Sequence, residues 1–503
     1  MREDVSIEDP ARGAGRWRKA VREHPGSAAA RYALGVALVR EGLWEEAGAA
    51  FREAARLRPG WAEANNALGA TLGRLGRLDE AIEAFAVASK LREDFALPRF
   101  NLGMAFALCR RDAEAADAFR RAAALLPGHV ESNVNLAVTL ALLGRHREAA
   151  DAWRDVVRLD PARPGPHVKL GWALCRQGEF RDAAGAFRDA LRADPACREA
   201  FAGLGWACAE TGDLEEAEEA FRKDADASPG EALPLYNLGT VLGMLGRHEE
   251  AVERLAEAAK RSPEHASIRY NLGVCLFRLH RHGPAAAAFR EATRIRPAYG
   301  KGWYNLGVAL FETGRREHAA DAFRDVVRRD PEHPRAHFNL GIVLLALGRE
   351  RQAAGEFREA ARLDPGHAAS LYSLGILLLG EGGTGEAAEA FRAAIRARPG
   401  YARAYNGLGV ALFRLSRVAE ATEAFREAVR IFPSYTRAHY NLGLCLLDPE
   451  DRDGASRQLS VLSFLDPTLA RRYAALRSRH GKRERERPFA RTPRGASRRY
   501  PPI

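Results

Sequence analysis

A 34-residue register runs from Ala28 to Leu469 without insertion or deletion, giving thirteen copies of one pattern. It is plainest in the ninth copy, Gly300 to His333, where Gly300 holds the first place and Leu306 the seventh. Leucine fills that seventh place in every copy from Leu34 to Leu442, and glycine follows it in all but the fourth, which has Ala137. Place 20 is always alanine (Ala47, Ala81, Ala115 and onward to Ala455). Place 24 is phenylalanine in ten copies, with Trp153, Leu255 and Leu459 in the others, and place 32 is proline everywhere except Glu93. This is one repeat protein.

Within a unit, apolar places 4, 7, 8 and 11 share one face of a first helix, and places 17, 20, 24 and 27 do the same for a second. Glycine at place 15 in most copies (Gly42, Gly76, Gly144, Gly314) suits a helix C-terminus because it tolerates positive φ. Proline at place 32 lacks an N–H and stops the second helix. Small residues at places 8 and 20 allow close helix approach, and the phenylalanine fills the remaining space. A helix pair this short cannot bury its own stripe, so neighbouring units must stack into a continuous core.

Leu-Gly, Ala, Phe and Pro at these offsets resemble the tetratricopeptide repeat. The resemblance covers about nine tenths of the chain. It implies an all-α fold, an α-α superhelix or solenoid of contiguous helix–turn–helix repeats whose first helices line a concave groove. It also implies binding rather than chemistry. The expected organisation is a disordered start over 1–10, an N-terminal capping half-repeat over 11–27, thirteen repeats over 28–469, a C-terminal capping helix over 470–480 and a basic disordered tail over 481–503. In the half-repeat, Trp17 takes the phenylalanine place and Ala20 and Pro25 take theirs.

The net charge of +11 raises the question of nucleic acid. Residues 471–503 carry twelve Arg/Lys and two acids, so nearly all of the excess sits in the tail. The repeats are close to neutral, which makes nucleic acid an unlikely partner except through the tail. Only seven lysines occur, and the Ala/Arg richness reads as bacterial-like, high-GC coding. Six cysteines (Cys109, Cys175, Cys197, Cys208, Cys275, Cys445) show no paired spacing and are expected to be reduced core thiols of a cytoplasmic protein. The start has charges where a signal peptide needs an apolar run, and no apolar stretch is long enough to span a membrane.

Two copies depart from the pattern. In the sixth, Asp224 takes the alanine of place 27, beside Lys223, and is expected to loosen the packing, because an unpaired buried carboxylate is costly. The thirteenth has Pro449 in its turn, with Leu459 and Leu462 at places 24 and 27.

Candidate binding residues lie at places 5 and 6, which the resemblance puts near the groove. An aromatic-Asn pair recurs there: Phe100-Asn101, Tyr236-Asn237, Tyr270-Asn271, Tyr304-Asn305, Phe338-Asn339 and Tyr440-Asn441, with Asn135 as a further asparagine. An asparagine offers a donor and an acceptor, so a row of them could pair with an extended peptide backbone. These residues resemble the asparagine ladder of protein O-GlcNAc transferases. Tyr-Asn-Leu-Gly is also a stabilising choice within the repeat, and both readings stand.

Place 2 adds a polarity. It is acidic in the N-terminal half (Glu63, Glu131, Glu199) and basic in the C-terminal half (Lys301, Arg335, Arg403, Arg437). A cation in a helix's first turn opposes the macrodipole, so four of them suggest an acidic partner segment in the C-terminal half of the groove. The carboxylate clamp of chaperone-binding relatives needs Lys at place 5 and Asn at place 9. Here place 5 never holds Lys and place 9 is mostly apolar, with Trp172 and Trp206 among its residues. A chaperone adaptor is therefore disfavoured.

No catalytic constellation, cofactor motif or metal-ligand spacing is present; His280-x-His282 has no third ligand. The catalytic domain of the resembling transferases has no room after Leu469. The expected function is a non-catalytic protein-interaction scaffold or adaptor binding an extended or helical segment. The alternatives are association with nucleic acid or an acidic partner through the Arg-rich tail, with steep salt dependence, and an accessory substrate-recognition subunit of a separately encoded glycosyltransferase.

Overall fold

A computed structural model of the chain describes residues 13–447 and 452–480. The expected disordered termini 1–10 and 481–503, and Pro449, lie outside those residues. Twenty-eight α-helices make up the fold, with no strand among the described residues. They divide into two units, Met1–Leu245 and Gly246–Ile503. The first unit holds a capping helix (Ala14–Glu23), six helix pairs and the first helix of the seventh repeat (Ala232–Met244). The second holds that repeat's second helix (His248–Arg261), six further pairs and a terminal helix (Pro467–His480) that starts three residues earlier than expected.

The alanine at place 20 explains how close the paired helices come. Ala319, Ala353 and Ala387 are fully buried, and Phe323, Phe357 and Phe391 beside them likewise show no exposure. The glycine at place 8 is the other half of the contact: a Cβ on Gly341 would sit 2.7 Å from the Phe357 ring, and one on Gly35 would sit 2.6 Å from Phe51. Place 15 has positive φ in all twelve copies where it is described. Nine carry glycine, and the other three are Arg110 (φ 60), His280 (φ 57) and Ser416 (φ 62).

The ends follow the same packing logic. Trp17 is buried in the capping helix and joins the core of Ala33, Ala37 and Phe51. At the other end, Tyr473 of the terminal helix supplies the ring that Leu459 does not. A Cβ on Gly443 would meet that ring at 2.7 Å. The Tyr473 hydroxyl donates to the Gly443 carbonyl at 2.9 Å.

Two sequence expectations need correction. Place 4 is not simply part of an apolar stripe: in six copies it carries an N–H donor bonded to the place-32 carbonyl of the loop before its helix. Arg31 reaches Pro25 at 3.0 Å, Arg99 reaches Glu93 at 2.9 Å and Trp303 reaches Pro297 at 2.9 Å. His167, His337 and His439 do the same through Nε2 to Pro161, Pro331 and Pro433 at 2.7–3.0 Å. Proline thus ends one helix while its carbonyl anchors the next. Asp224 is the second correction. It is buried yet paired, 3.3 Å from Arg198 Nε, and Arg198 also pairs with Glu231. Its burial still raises its pKa despite the arginine.

Candidate functional site

The asparagines of place 6 are held first by neighbouring repeats. Asn305 donates from Nδ2 to the Tyr270 hydroxyl at 2.9 Å, and Asn339 does so to Tyr304 at 2.9 Å. Asn101 and Asn441 use an amide oxygen instead, on Asn66 at 3.0 Å and Asn406 at 2.9 Å. The spacing is 35 residues each time, from place 6 of one copy to place 5 of the copy before. Asn135 turns back to the Glu131 carbonyl of its own helix at 2.8 Å. Tyr236, Asn237 and Asn271 are half-buried.

Each rung takes one donor of its asparagine and leaves the amide oxygen. Phe338 and Asn339 are 6 % and 2 % exposed, and the Asn339 amide is engaged with Tyr304. Burial raises the Tyr270 and Tyr304 phenols, opposed by the bonds from Asn305 and Asn339, so both stay protonated at neutral pH.

Place 2 behaves differently in the two units. The acids of unit one each have a basic neighbour: Glu63 pairs with Arg92 at 2.7 Å, Glu131 with His129 at 3.4 Å and Glu199 with Lys169 at 3.9 Å. In unit two Lys301, Arg335, Arg403 and Arg437 are exposed, and no carboxylate pairs with any of them among the described residues. Other arginines of unit two do find acids. Arg417 grips Glu420 at 2.6 Å, and Arg294, Arg324 and Arg362 hold an acid three residues back on their own second helices at 2.8–2.9 Å. Cationic place 2 is therefore unmatched on the first-helix side, where acids are few.

The apolar ninth places vary in exposure along the chain. In unit one Met104, Val138, Trp172 and Trp206, on four successive first helices, are exposed, and the two indoles lie 5.9 Å apart. Val36 of unit one and Val274 and Val308 of unit two are half-buried, Ile342 is fully buried, and Ile376 is exposed. No group of three or more His, Cys, Asp or Glu side chains could hold a metal among the described residues. No helix there is long and apolar enough to cross a membrane. All six cysteines are free, and burial pushes Cys208 up to about 12 and Cys175, Cys275 and Cys445 up to about 11.

The family models agree with a fold of helical repeats. The tetratricopeptide repeat family model matches residues 2–61, 66–130, 110–164 and 168–232. The model of the cilia and flagella-associated protein 70 C-terminal domain matches 228–439. Among solved structures, YrrB, described as a TPR protein with an unusual peptide-binding site, is 24% identical; the match covers 37% of this chain and 96% of that one, with a TM-score of 0.34. The Naa15/Naa10 complex bound to HypK-THB gives 13% identity over 90% of this chain and 96% of that one, with a TM-score of 0.42. PilF of Pseudomonas aeruginosa is 22% identical over 44% of this chain and 98% of that one, with a TM-score of 0.37. No curated protein matches.

Proposed function

We propose that this chain of tetratricopeptide repeats is a non-catalytic scaffold that holds partner protein segments against its first helices, and that the segment held by unit two is acidic. The observation that carries the reading is the unmatched row Lys301, Arg335, Arg403 and Arg437. Each cation stands in the first turn of its helix, against the dipole, and none of those first turns carries an acid to offset it. Charge left unmatched on one face favours a partner of opposite sign and excludes partners of like sign.

The half-buried asparagines Asn101, Asn305 and Asn441 keep an amide oxygen beyond their rungs, which suits backbone pairing with an extended segment, and Asn237 and Asn271 continue the same row. The tyrosines Tyr270 and Tyr304 act mainly through the rungs. In unit one, Met104, Val138, Trp172 and Trp206 offer apolar contact area of the kind that interface cores use.

The test uses two baits in affinity capture from the source cell: the full chain, and the full chain with Lys301, Arg335, Arg403 and Arg437 all changed to Glu. The reading expects a protein partner bearing an acid-rich segment that the first bait retains and the second loses, with unchanged circular dichroism. Equal recovery of the same partners by both baits would show that the basic row is not where binding happens.

A further inference from the structure

Five of the chain's seven tryptophans are accounted for within the protein. Trp153 is buried at place 24, in the core. Trp17, Trp44, Trp61 and Trp303 each have a guanidinium of the chain over the ring, from Arg16, Arg74, Arg58 and Arg329, at 5.3–5.7 Å from the ring centre. Trp172 and Trp206 are the other two. Each is 37 % exposed, and no cation lies over either ring among the described residues.

The two indoles belong to one cluster. Trp172 stands on the helix Pro164–Gln177 and Trp206 on the next first helix, Arg198–Thr211. Their ring centres are 5.9 Å apart and their planes 31° from parallel. Phe180, which opens the helix Phe180–Ala193 between them, meets Trp206 at 5.4 Å and 84°. Phe187 of the core backs Trp172 at 5.4 Å. Two carboxylates stand beside the rings. Glu210 follows Trp206 by four residues, one turn along the same helix face. Glu179 directly precedes Phe180. Both are exposed, and neither pairs with a base among the described residues. Lys169 is already held by Glu199, at 3.9 Å. Arg176, one turn beyond Trp172, is exposed and lies over neither ring.

We infer that Trp172, Trp206 and Phe180, with Glu210 and Glu179 at the rim, seat an arginine side chain of a basic partner segment. The inference rests on the reading above that the first helices hold partner segments, and it gives unit one an occupant opposite in charge to that of unit two. The face of an indole carries negative charge density and attracts a cation. A guanidinium plane stacks on the ring while its N–H fork reaches a carboxylate, which the compact ammonium of a lysine does less well. Arginine is also what the chain's own Trp17, Trp44, Trp61 and Trp303 take.

The test titrates the full chain, at about 0.15 M salt to screen diffuse attraction, with a fluorescein-labelled ten-residue peptide of alternating Arg and Ser, followed by anisotropy. Companions replace Arg with Lys or with citrulline, which keeps the shape and loses the charge. The Arg peptide should bind, the Lys peptide more weakly and the citrulline peptide not at all. Trp172→Leu and Trp206→Leu should each weaken Arg-peptide binding about fivefold, as expected for one partly desolvated cation–π contact. Glu210→Gln, which disturbs no packed ring, should weaken it about threefold, and Glu131→Gln, away from the indoles, should leave it unchanged. Circular dichroism checks the fold of the tryptophan variants. A peptide of alternating Asp and Ser should bind every variant as it binds the parent. Equal binding of the Lys peptide would overturn the assignment to arginine, and equal binding of the citrulline peptide would overturn the cation seat. So would no binding of the Arg peptide, unchanged affinity in Trp206→Leu and Glu210→Gln, or equal losses in Glu131→Gln and Glu210→Gln. Failure of the Asp peptide alone would count against the acidic-segment reading of unit two and leave the seat in place.

Discussion

Asn339 Nδ2 donates to the Tyr304 hydroxyl at 2.9 Å, from place 6 of the tenth repeat to place 5 of the ninth. The bond ties two units at a point where both side chains are mostly removed from water, and it repeats between Asn305 and Tyr270. A row of residues suited to contacting a peptide is thus partly spent on holding the repeats in register.

Removing either end of the rung should lower stability without abolishing the fold. Tyr304→Phe strands a buried amide donor, at a cost of about 1–3 kcal/mol. Asn339→Ala should fall in the same range and the double change should cost little more than either, because both report one bond. Urea titration of the four proteins gives the coupling directly. Additive losses would mean that the two side chains stabilise the fold separately.

The three non-glycine residues with positive φ should be sites of easy gain. Arg110→Gly, His280→Gly and Ser416→Gly relieve a left-handed conformation that costs an L-residue about 1–2 kcal/mol. Greater freedom of the unfolded chain returns part of this, leaving a gain of about 0.5–1 kcal/mol each. Thermal unfolding of the triple variant should start higher, and no rise would show that these turns are already relaxed.

Asp224→Ala should stabilise unit one at neutral pH. Place 27 is otherwise apolar, and burial raises the Asp224 pKa even with Arg198 at 3.3 Å. A carboxyl whose folded pKa lies above its unfolded value contributes fully below the unfolded pKa, and that contribution is lost as pH rises through the folded one. The gain from Asp224→Ala, about 1 kcal/mol or more, should therefore be largest at pH 7 and shrink in acid. Arg198 keeps Glu231 in the variant. A gain independent of pH would point to packing alone.

Alkaline pH should weaken the fold through its thiols. Cys175, Cys275 and Cys445 are pushed up to about 11 and Cys208 up to about 12, above the ordinary thiol value of 9.0. Their neutral forms stabilise the fold fully below pH 9, and that contribution is lost as pH rises through 11 to 12. At pH 8 these four should resist iodoacetamide in the native protein and react once it is unfolded, as mass spectrometry would show. Rapid native labelling of Cys208 would contradict the burial account.

Much of the fold was legible because its determinants share one period. Ala353, Phe357 and Gly341 are fixed by close approach, and close approach tolerates few residue types, so the same letters recur. The place-4 donors escaped notice for the opposite reason. Arg99, His337 and Trp303 look unrelated as letters, and their common feature is an N–H that reaches six residues back. The rungs were hidden by their offset: 35 residues is one more than the period, so Asn305 and Tyr270 fall in different columns of any aligned repeat. Tyr473 was legible only as part of a polar capping helix, because its partner Gly443 lies 30 residues away and belongs to another pattern. At the candidate site, the sequence showed the sign change at place 2, but which charges find partners depends on three-dimensional neighbours. Arg92 pairs with Glu63, while no carboxylate among the described residues pairs with Arg437.

The most direct measurement is amide hydrogen exchange of the full chain with and without a saturating acidic peptide. Protection should appear in the first turns of the helices Gly300–Glu312, Pro334–Ala346, Ala402–Arg414 and Thr436–Cys445, where the unmatched cations stand. The first turns that carry Glu63, Glu131 and Glu199 should exchange as before. Protection confined to those acidic turns or to residues 481–503, or none at all with peptide bound, would contradict the account.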